Sequence, residues 1–409
     1  MPPHHPGKLL IRSDRLWDGL ADRPATGIDI LVENGTITRL GEEVQASPGT
    51  NLIDLAECTV LPGLIDCHVH LPTEAADHES AAYQVLTALP AMRDLLHNGF
   101  TTVRDLGSAH LPLNVALRRA VDEHLTSGPR ILAAPNILSP RGGHGDKAPN
   151  LAQRYGAQVG TVADGEHEVR RQVREQARAG ADWIKFAGSG GFSSPADAPD
   201  ATAYSQEEVD TLVATARDLH LPCATHAFPD EAVLRALRAG VRSVEHATLA
   251  TPETLNIMAQ AGTYLVPTQY TQRYFLDHLD DDTFWEHRSP TMRDTYRRYE
   301  PRMREGLLRP ARSDVRIAFG TDAGMFPHAD NWREFPTMVE HGLPPLRALR
   351  AATSTAADLL NRPDLGRLTL GAASDLVAVA GNPFEDIEAM GRVRFVVQSG
   401  RVVRPVEKG

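Results

Sequence analysis

The sequence predicts an α/β protein, a (β/α)8 TIM barrel with a small β-sandwich domain that both chain termini build together. The middle of the chain alternates apolar strand-like segments with helical segments, the pattern of a parallel sheet with helical connections. Eight such strands can close into a barrel. Both ends of the chain are instead rich in short strands and turns. An open doubly wound sheet is the competing architecture, but no G-x-G-x-x-G motif follows an early strand.

The predicted β-sandwich comprises residues 1–61 and 367–409. Asn34-Gly35 between two apolar segments is the strongest short signal for a β-hairpin. The expected strands are Lys8–Ile11, Ile28–Glu33, Thr36–Leu40, Asn51–Leu55, Asp375–Ala380, Arg394–Gln398 and Arg401–Val403. Because these strands come from both ends of the chain, we expect one composite domain.

The predicted barrel comprises residues 62–366. Its eight expected strands are Leu64–Val69, Thr101–Leu106, Arg130–Ala134, Trp183–Ala187, Cys223–His226, Ser243–His246, Tyr264–Pro267 and Ile317–Thr321. The expected helices between them are Ala81–Asn98, Leu113–Leu125, Gly165–Ala179, Gln206–Leu219, Asp230–Ala239 and Pro252–Ala261. Several helical segments end in glycine, a common helix terminator.

Two long segments interrupt this alternation. Residues 136–164 follow the third strand and contain a Gly-Gly-His-Gly-Asp motif, whereas residues 270–308 follow the seventh strand and are rich in Tyr, Arg, Asp and Trp. Long segments after barrel strands are usually functional loops or lids, because the carboxyl ends of the strands carry the active site.

The composition is that of a globular protein, with 42% apolar and 23% charged residues among 409. The net charge of -11 argues against nucleic acid or an anionic membrane as the main partner and leaves a small-molecule substrate. Three scattered cysteines indicate a reducing compartment, and neither a signal peptide nor a membrane-spanning stretch is evident, so we expect a cytoplasmic protein. A homo-oligomer is compatible with the sequence.

A His-x-His motif ends the first barrel strand. Residues two apart on a strand project to the same face, so His68 and His70 can point together into one small volume, as two ligands of a metal must. In isolation such a pair is more often an ordinary polar feature of a strand end.

Further polar residues lie in or directly after other predicted barrel strands. Lys185 lies in the fourth strand between Ile184 and Phe186, and a lysine in a buried strand is rarely left unpaired. The fifth and sixth strands end at His226 and His246, and Asp322 directly follows the eighth strand. A barrel brings the carboxyl ends of its strands to one mouth, so we expect all these side chains to converge there.

Through these motifs the chain resembles the amidohydrolase superfamily, specifically its binuclear branch near Xaa-Pro dipeptidases and ochratoxin-hydrolysing amidases. The resemblance runs essentially end to end, and the motifs are specific as a set rather than singly. They are Leu61–His70, Asp182–Phe186 (DWIKF), Thr225–Ala227, Glu245–Ala247, Gly320–Gly324 (GTDAG), Arg350–Ala357 (RAATSTAA) and Gly366–Val377.

The resemblance implies two divalent metal ions. His68, His70 and Asp322 would hold one, and His226 and His246 the other. Lys185 would be carbamylated and bridge both ions. The chemistry is coherent, because burial lowers the pKa of a lysine and its neutral amine can then react with carbon dioxide. Histidine and carboxylate ligands suit zinc, although manganese or cobalt could substitute.

The resemblance also implies a mechanism of amide hydrolysis without a covalent enzyme intermediate. A hydroxide bridging the metals would attack the scissile carbonyl, and Asp322 would accept its proton and pass it to the leaving amine. The sequence contains no Gly-x-Ser-x-Gly motif that would favour a serine nucleophile.

The candidates for substrate contact lie outside the metal-binding set. His144, in the glycine-rich loop, could hydrogen-bond a substrate carbonyl or carboxylate, and the alternative is a histidine in a surface turn. Tyr204 could cover the mouth of the site, and the alternative is an ordinary half-buried tyrosine. Arg273 is a weaker candidate for binding a dipeptide carboxylate, since most arginines of its segment must be solvated.

The favoured substrate is a dipeptide or an N-acyl amino acid. A mononuclear enzyme acting on a cyclic amide or amidine, such as an imidazolonepropionase or deaminase, is the main alternative, but Lys185 argues against it because those relatives generally lack the bridging lysine. A phosphotriesterase or lactonase could use the same metal centre. A non-catalytic scaffold would have lost ligands, whereas all six are present here.

Overall fold

The computed structural model describes residues 7–72, 79–107, 111–146, 161–194 and 196–406. Residues 1–6 and residues 147–160 of the first long segment lie outside the described residues. The strands of the described chain are β1 (Leu9–Leu16), β2 (Asp29–Glu33), β3 (Thr36–Gly41), β4 (Asn51–Pro62), β5 (Leu64–Val69), β6 (Phe100–Asp105), β7 (Arg130–Ala133), β8 (Ile137–Ser139), β9 (Thr161–Val162), β10 (Ile184–Ala187), β11 (Cys223–Ala227), β12 (Ser243–His246), β13 (Tyr264–Val266), β14 (Arg316–Ile317), β15 (Leu376–Ala380), β16 (Val393–Gln398) and β17 (Arg401–Arg404).

The α-helices of the same part of the chain are α1 (Ala81–His97), α2 (Leu113–Asp122), α3 (Gly165–Arg178), α4 (Gln206–Asp218), α5 (Asp230–Ala239), α6 (Pro252–Ala261), α7 (Gln269–Asp277), α8 (Asp282–Trp285), α9 (Pro290–Gly306), α10 (Glu334–Glu340), α11 (Pro345–Ala351) and α12 (Ser354–Leu359). Two of the glycines predicted to end helices, Gly240 and Gly262, are the C-caps of α5 and α6. They adopt left-handed φ values of 89° and 71°.

Both ends of the chain contribute to one seven-stranded sheet, in the order β17-β16-β15-β4-β1-β2-β3. The predicted hairpin joins β2 and β3, and its Asn34 and Gly35 have φ values of 51° and 79°, as a primed two-residue turn requires. Strand β4 runs on to Pro62, and the amide of Gly63 donates to the carbonyl of Asp375 before β5 begins. The chain therefore leaves this sheet at Pro62-Gly63.

The middle of the chain forms two parallel sheets, confirming an α/β fold. Their orders are β5-β6-β7 and β14-β13-β12-β11-β10-β8-β9. The amides of Asp182 and Trp183 donate to the carbonyl of Ala133 at one junction between them. At the other junction the amide of Cys67 donates to the carbonyl of Phe319 over 2.8 Å.

The structure differs from the expected barrel strands in two places. The eighth strand ends at Ile317 rather than Thr321, because the amide of Phe319 turns to the carbonyl of Ala351 and Asp322 adopts a left-handed φ of 61°. The segment after the third strand also carries the short strand β8, which pairs with β10. Both differences arise from tertiary contacts that a strand pattern does not record.

The second long segment, residues 270–308, falls largely within α7, α8 and α9. These helices share an apolar cluster that includes Phe275, Trp285 and Tyr296 together with Phe192 and Phe228 from the strand-end loops. The segment therefore covers the carboxyl ends of the strands, as expected for a functional insertion. Within the described ranges, no helix has both the length and the apolar character needed to cross a bilayer.

Candidate metal centre

The His-x-His motif and Asp322 meet at one point. His68 lies near the end of β5, and His70 directly follows that strand. The centroids of the two rings are 5.3 Å apart. Their Nε2 atoms lie 3.3 Å and 3.1 Å from the same oxygen, Oδ1 of Asp322. All three residues are buried. The shared face that the spacing predicts is therefore present, and the residue after the last parallel strand completes it.

His226 and His246 stand at the ends of neighbouring strands, with ring centroids 4.7 Å apart. The ring of His246 also lies 5.1 Å from that of His68. Nitrogen and oxygen atoms of His68, His246 and Asp322 all lie within 4.8 Å of one another, a spacing that could hold a metal ion.

Each of the four histidines lies within hydrogen-bond distance of a protein oxygen beyond the cluster through one ring nitrogen. Nδ1 is the bonded atom in His68, His70 and His246, and Nε2 is bonded in His226. The acceptors or partners are Glu245 Oε2 at 2.9 Å, Gly107 O at 2.6 Å, Thr268 Oγ1 at 2.7 Å and Gly190 O at 3.0 Å, respectively. Such outer contacts set the tautomer and the ring orientation of metal-binding histidines.

Lys185 lies in β10, and its side chain lines the same cavity as the histidines. The residue is 2% exposed, and its Nζ makes no hydrogen bond to any residue that the structure describes. Burial lowers the pKa of Lys185 to about 8. A buried, unpaired amine next to an ionised carboxylate is costly unless another group engages it, so this atom fits a bridging metal ligand.

The ionisation of the cluster suits metal binding. Burial lowers the pKa of His226 to about 3 and that of His246 well below its ordinary value, so both imidazoles are neutral. Burial by itself would raise the pKa of Asp322, but the adjacent His68 and His70 hold it well below its ordinary value. The cluster therefore offers the neutral imidazoles of His226 and His246 and one carboxylate.

A buried ion pair beneath the cluster was missed by sequence reasoning. Glu245, next to His246, accepts a hydrogen bond from His68 and from both Ser243 and Arg104. Arg104 is fully buried, stacks over the ring of Trp183 at 4.4 Å and holds the pKa of Glu245 down to about 2 against the effect of burial. The signal in the sequence is that Arg104 and Glu245 are charged residues inside strands β6 and β12, where an unpaired charge is rare.

Left-handed backbone conformations also occur at this site. His246, Thr268 and Asp322 adopt left-handed φ values of 72°, 46° and 61°, a region that residues other than glycine rarely occupy. Such conformations persist only where surrounding contacts enforce them, and they are typical of functional sites.

The structure brings His144 into the cavity but not Tyr204. His144 stacks on the ring of His226 at 4.1 Å, and its Nδ1 lies 2.8 Å from Ser194 Oγ. Tyr204 is 1% exposed, packs against Phe186 in the core and is absent from the described residues that line the cavity. Its predicted substrate contact has no support from this position.

Arg273 also lies away from the cavity. Its guanidinium pairs with Asp277 over 3.0 Å and with Glu340, and its side chain is 35% exposed. These carboxylates pair with the guanidinium at the protein surface, so Arg273 is a solvated arginine rather than a substrate-binding one.

The rest of the cavity comes from residues that the sequence did not single out. They are apolar, aromatic, hydroxyl or amide side chains from β8, from the loops after β10, β11 and β14, and from α7 and α9. The described members are Ile137, Phe192, Ser193, Phe228, Thr271, Gln272, Tyr296 and Met325. The cavity thus joins a polar floor at the strand ends to a largely apolar wall.

Comparison with known proteins agrees with this geometry. The model of the amidohydrolase family matches residues 59–403. Ochratoxinase from Aspergillus niger is 29% identical over 379 residues, which cover 86% of this chain and 74% of that protein. A crystal structure of a Xaa-Pro dipeptidase with bound methionine is 34% identical, covers 97% of this chain and 99% of its own, and superposes with a TM-score of 0.89.

A prolidase complexed with N-methylphosphonate-L-proline is 32% identical, covers 97% of this chain and 100% of its own, and has a TM-score of 0.88. The family match spans well over half of the chain. The chain therefore belongs to the amidohydrolase family, close to ochratoxinase and Xaa-Pro dipeptidases, and is a hydrolase that acts on carbon–nitrogen amide bonds.

Proposed function

We propose that this amidohydrolase uses a binuclear metal centre to hydrolyse the amide bond of a dipeptide or an N-acyl amino acid-like substrate. The observation that carries the proposal is the unpaired Nζ of Lys185 in a cavity that also contains five histidines and Asp322. No hydrogen bond from the described residues explains that amine, whereas a bridging ligand would.

The donor set divides between two ions. His68, His70 and Asp322 would hold one, and His226 and His246 would hold the other. Imidazole and carboxylate donors suit zinc, with manganese or cobalt as substitutes. When bound, the ions would lower the pKa of water and polarise the scissile carbonyl.

Carbamylation of Lys185 would complete the set. The neutral amine attacks carbon dioxide, a nitrogen–carbon bond forms, and one proton is lost, which leaves an anionic group with two oxygens. The pKa of about 8 makes the neutral amine accessible near neutral pH. The amine of Lys185 is a buried cation without a hydrogen-bond partner among the described residues. Carbamylation would replace it with an anion that can bind the metal ions.

The remaining chemistry belongs to the side chains. The carboxylate of Asp322 would accept a proton from the attacking water and deliver it to the leaving nitrogen. Its low pKa keeps the group deprotonated before the attack. Glu245 would hold the ring of His68 in one tautomer. His144 would hydrogen-bond a substrate carbonyl or carboxylate from the rim of the cavity.

We further propose that the two parallel sheets form one closed (β/α)8 barrel over residues 62–366. The hydrogen bonds at both junctions and the parallel bridge between Val69 and Ala323 support closure. Residues 1–61 and 367–409 would form the β-sandwich. Its support is an apolar cluster that spans the seven-stranded sheet from Ile37 on the edge strand β3 to Phe395 on β16, next to the other edge.

The test is a turnover screen. Protein loaded with zinc or manganese should hydrolyse members of a panel of dipeptides and N-acyl amino acids, and Lys185→Ala should hydrolyse none. Lys8→Ala, which removes an exposed lysine, is the matched control and should behave as wild type. Turnover confined to cyclic amides, amidines or phosphotriesters in the same screen would reject the proposed substrate class.

A further inference from the structure

Gln272 is a polar residue in the cavity that no step above uses. It lies on α7 and lines the same cavity as His68 and Asp322. The side chain is 2% exposed, and its carboxamide oxygen Oε1 has no hydrogen-bond partner among the described residues. A buried acceptor of this kind is costly to keep, so it indicates a donor that arrives with a ligand.

The rest of α7 is firmly held, so Gln272 is not a poorly placed side chain. The amides of Gln269 and Tyr270 donate to the buried carboxyl group of Glu334, and the side chain of Gln269 donates to the carbonyl of Leu307. The hydroxyl of Thr271 donates to the carbonyl of Thr321 over 2.6 Å. Polar neighbours on the same helix are satisfied by protein groups, and the oxygen of Gln272 is the exception in this described stretch.

An aromatic wall lies in the same cavity. Phe228 stacks on the ring of His246 at 5.1 Å, Phe192 meets Phe228 edge-on at 5.0 Å, and Tyr296 stacks on Phe192 at 4.6 Å. All three rings line the cavity with Gln272. An aromatic wall beside one unpaired acceptor fits a group that is both bulky and apolar and carries one donor.

We propose that Gln272 is a specificity-determining residue. Its Oε1 accepts a hydrogen bond from an N–H group of the substrate, whose large apolar side chain packs against Phe192, Phe228 and Tyr296. This inference rests on the proposed function and names the substrate class: amides of residues with bulky apolar side chains that carry an α-ammonium or an α-acylamido N–H. Donors of either type offer the same N–H chemistry.

The experiment measures binding, so it does not depend on turnover. The probes are L-phenylalaninol and 3-phenylpropan-1-ol, which share the ring and the hydroxyl and differ only in the α-amino group. N-acetyl-L-phenylalaninol distinguishes an amide donor from an ammonium. Calorimetry on the metal-loaded protein should show that one or both nitrogen-bearing probes bind about ten- to a hundredfold more tightly than the alcohol, the range for a hydrogen bond to an otherwise unpaired group.

The variants isolate the oxygen. Gln272→Met keeps the length of the side chain without the acceptor and should erase the preference for the nitrogen-bearing probe. Gln272→Glu keeps an oxygen acceptor and should retain the preference. Gln45→Met, at an exposed position, should leave all probe affinities unchanged. Removing an unpaired buried acceptor should not lower the melting temperature of Gln272→Met, which separates this role from a structural one.

The inference is overturned if wild type binds all three probes equally, or if Gln272→Met retains the preference. Failure of the proposed function would look different, because wild type would then hydrolyse no amide although the probes still bound with the predicted preference.

Discussion

Nη2 of Arg104 lies 3.0 Å from Oε1 and 3.1 Å from Oε2 of Glu245, and neither residue is exposed to solvent. Glu245 in turn holds Nδ1 of His68. The pair therefore connects the core of the parallel strands to a metal-binding imidazole, and losing either partner leaves an uncompensated buried charge.

We expect Arg104→Met to lower the free energy of unfolding by about 3–5 kcal/mol, the cost of breaking a buried ion pair from one side. Urea titration followed by circular dichroism measures the loss. Arg119→Met removes an exposed arginine paired with Glu123 and should leave the unfolding midpoint unchanged. Equal midpoints for wild type and Arg104→Met would show that the pair is not a major support of the site.

Lys185→Ala and Asp322→Asn should each abolish turnover while the far-ultraviolet spectrum stays that of wild type. Lys185→Ala removes the amine that the proposal carbamylates, and Asp322→Asn removes the proton acceptor while preserving the size of the side chain. Steady-state kinetics and metal analysis of the same samples provide the measurement. Full activity in either variant would contradict the proposed mechanism.

The first glycine of the GTDAG motif, Gly320, packs where no side chain fits. A Cβ at this position would overlap Cγ1 of Val266 and lie 2.9 Å from Cβ of His68. Gly320→Ala should therefore displace the strand that bears the His-x-His motif, with a loss of about 1–3 kcal/mol typical of overpacking and a lower metal content. Gly7→Ala, where a Cβ meets nothing within 4 Å, is the control. Unchanged stability and metal content would show that the site tolerates the added methyl group.

Exhaustive chelation should lower both the melting temperature and turnover, and added zinc or manganese should restore them. A ligand that binds only the folded state stabilises it by about 2.7 kcal/mol at a hundred times its dissociation constant, so the shift should grow with metal concentration. Calorimetric scans at several metal concentrations test this. Activity that survives chelation, with well under one equivalent of metal retained, would refute the metal centre.

His341 should contribute to the acid sensitivity of the fold. Burial, assisted by the charge of Arg273, lowers the pKa of His341 to about 4, and its buried Nδ1 has no described hydrogen-bond partner. Because the unfolded chain titrates near about 6.5, the unfolded state binds the extra proton and stability falls as the pH drops from about 6.5 to about 4. Urea midpoints of His341→Leu should fall less than those of wild type over this range; parallel curves would exclude the contribution.

The local patterns of the sequence predict where the strands of the parallel sheets lie, where several helices stop, and that polar residues at five strand ends share one edge. His68, His70, Lys185, His226, His246 and Asp322 line one cavity as that placement requires. These features depend on alternation along a strand and on the common direction of parallel strands, both of which are local properties.

The contacts between distant residues were decided by the tertiary structure. Arg104 and Glu245 are 141 positions apart, and only the packing of β6 near β12 brings them together. Gln272 faces the cavity because Glu334 and Thr321 hold its helix, whereas Tyr204 packs into the core. A residue type indicates what a side chain can bind, but its partners depend on how whole elements pack, since packing energy is spread over many contacts distant in sequence.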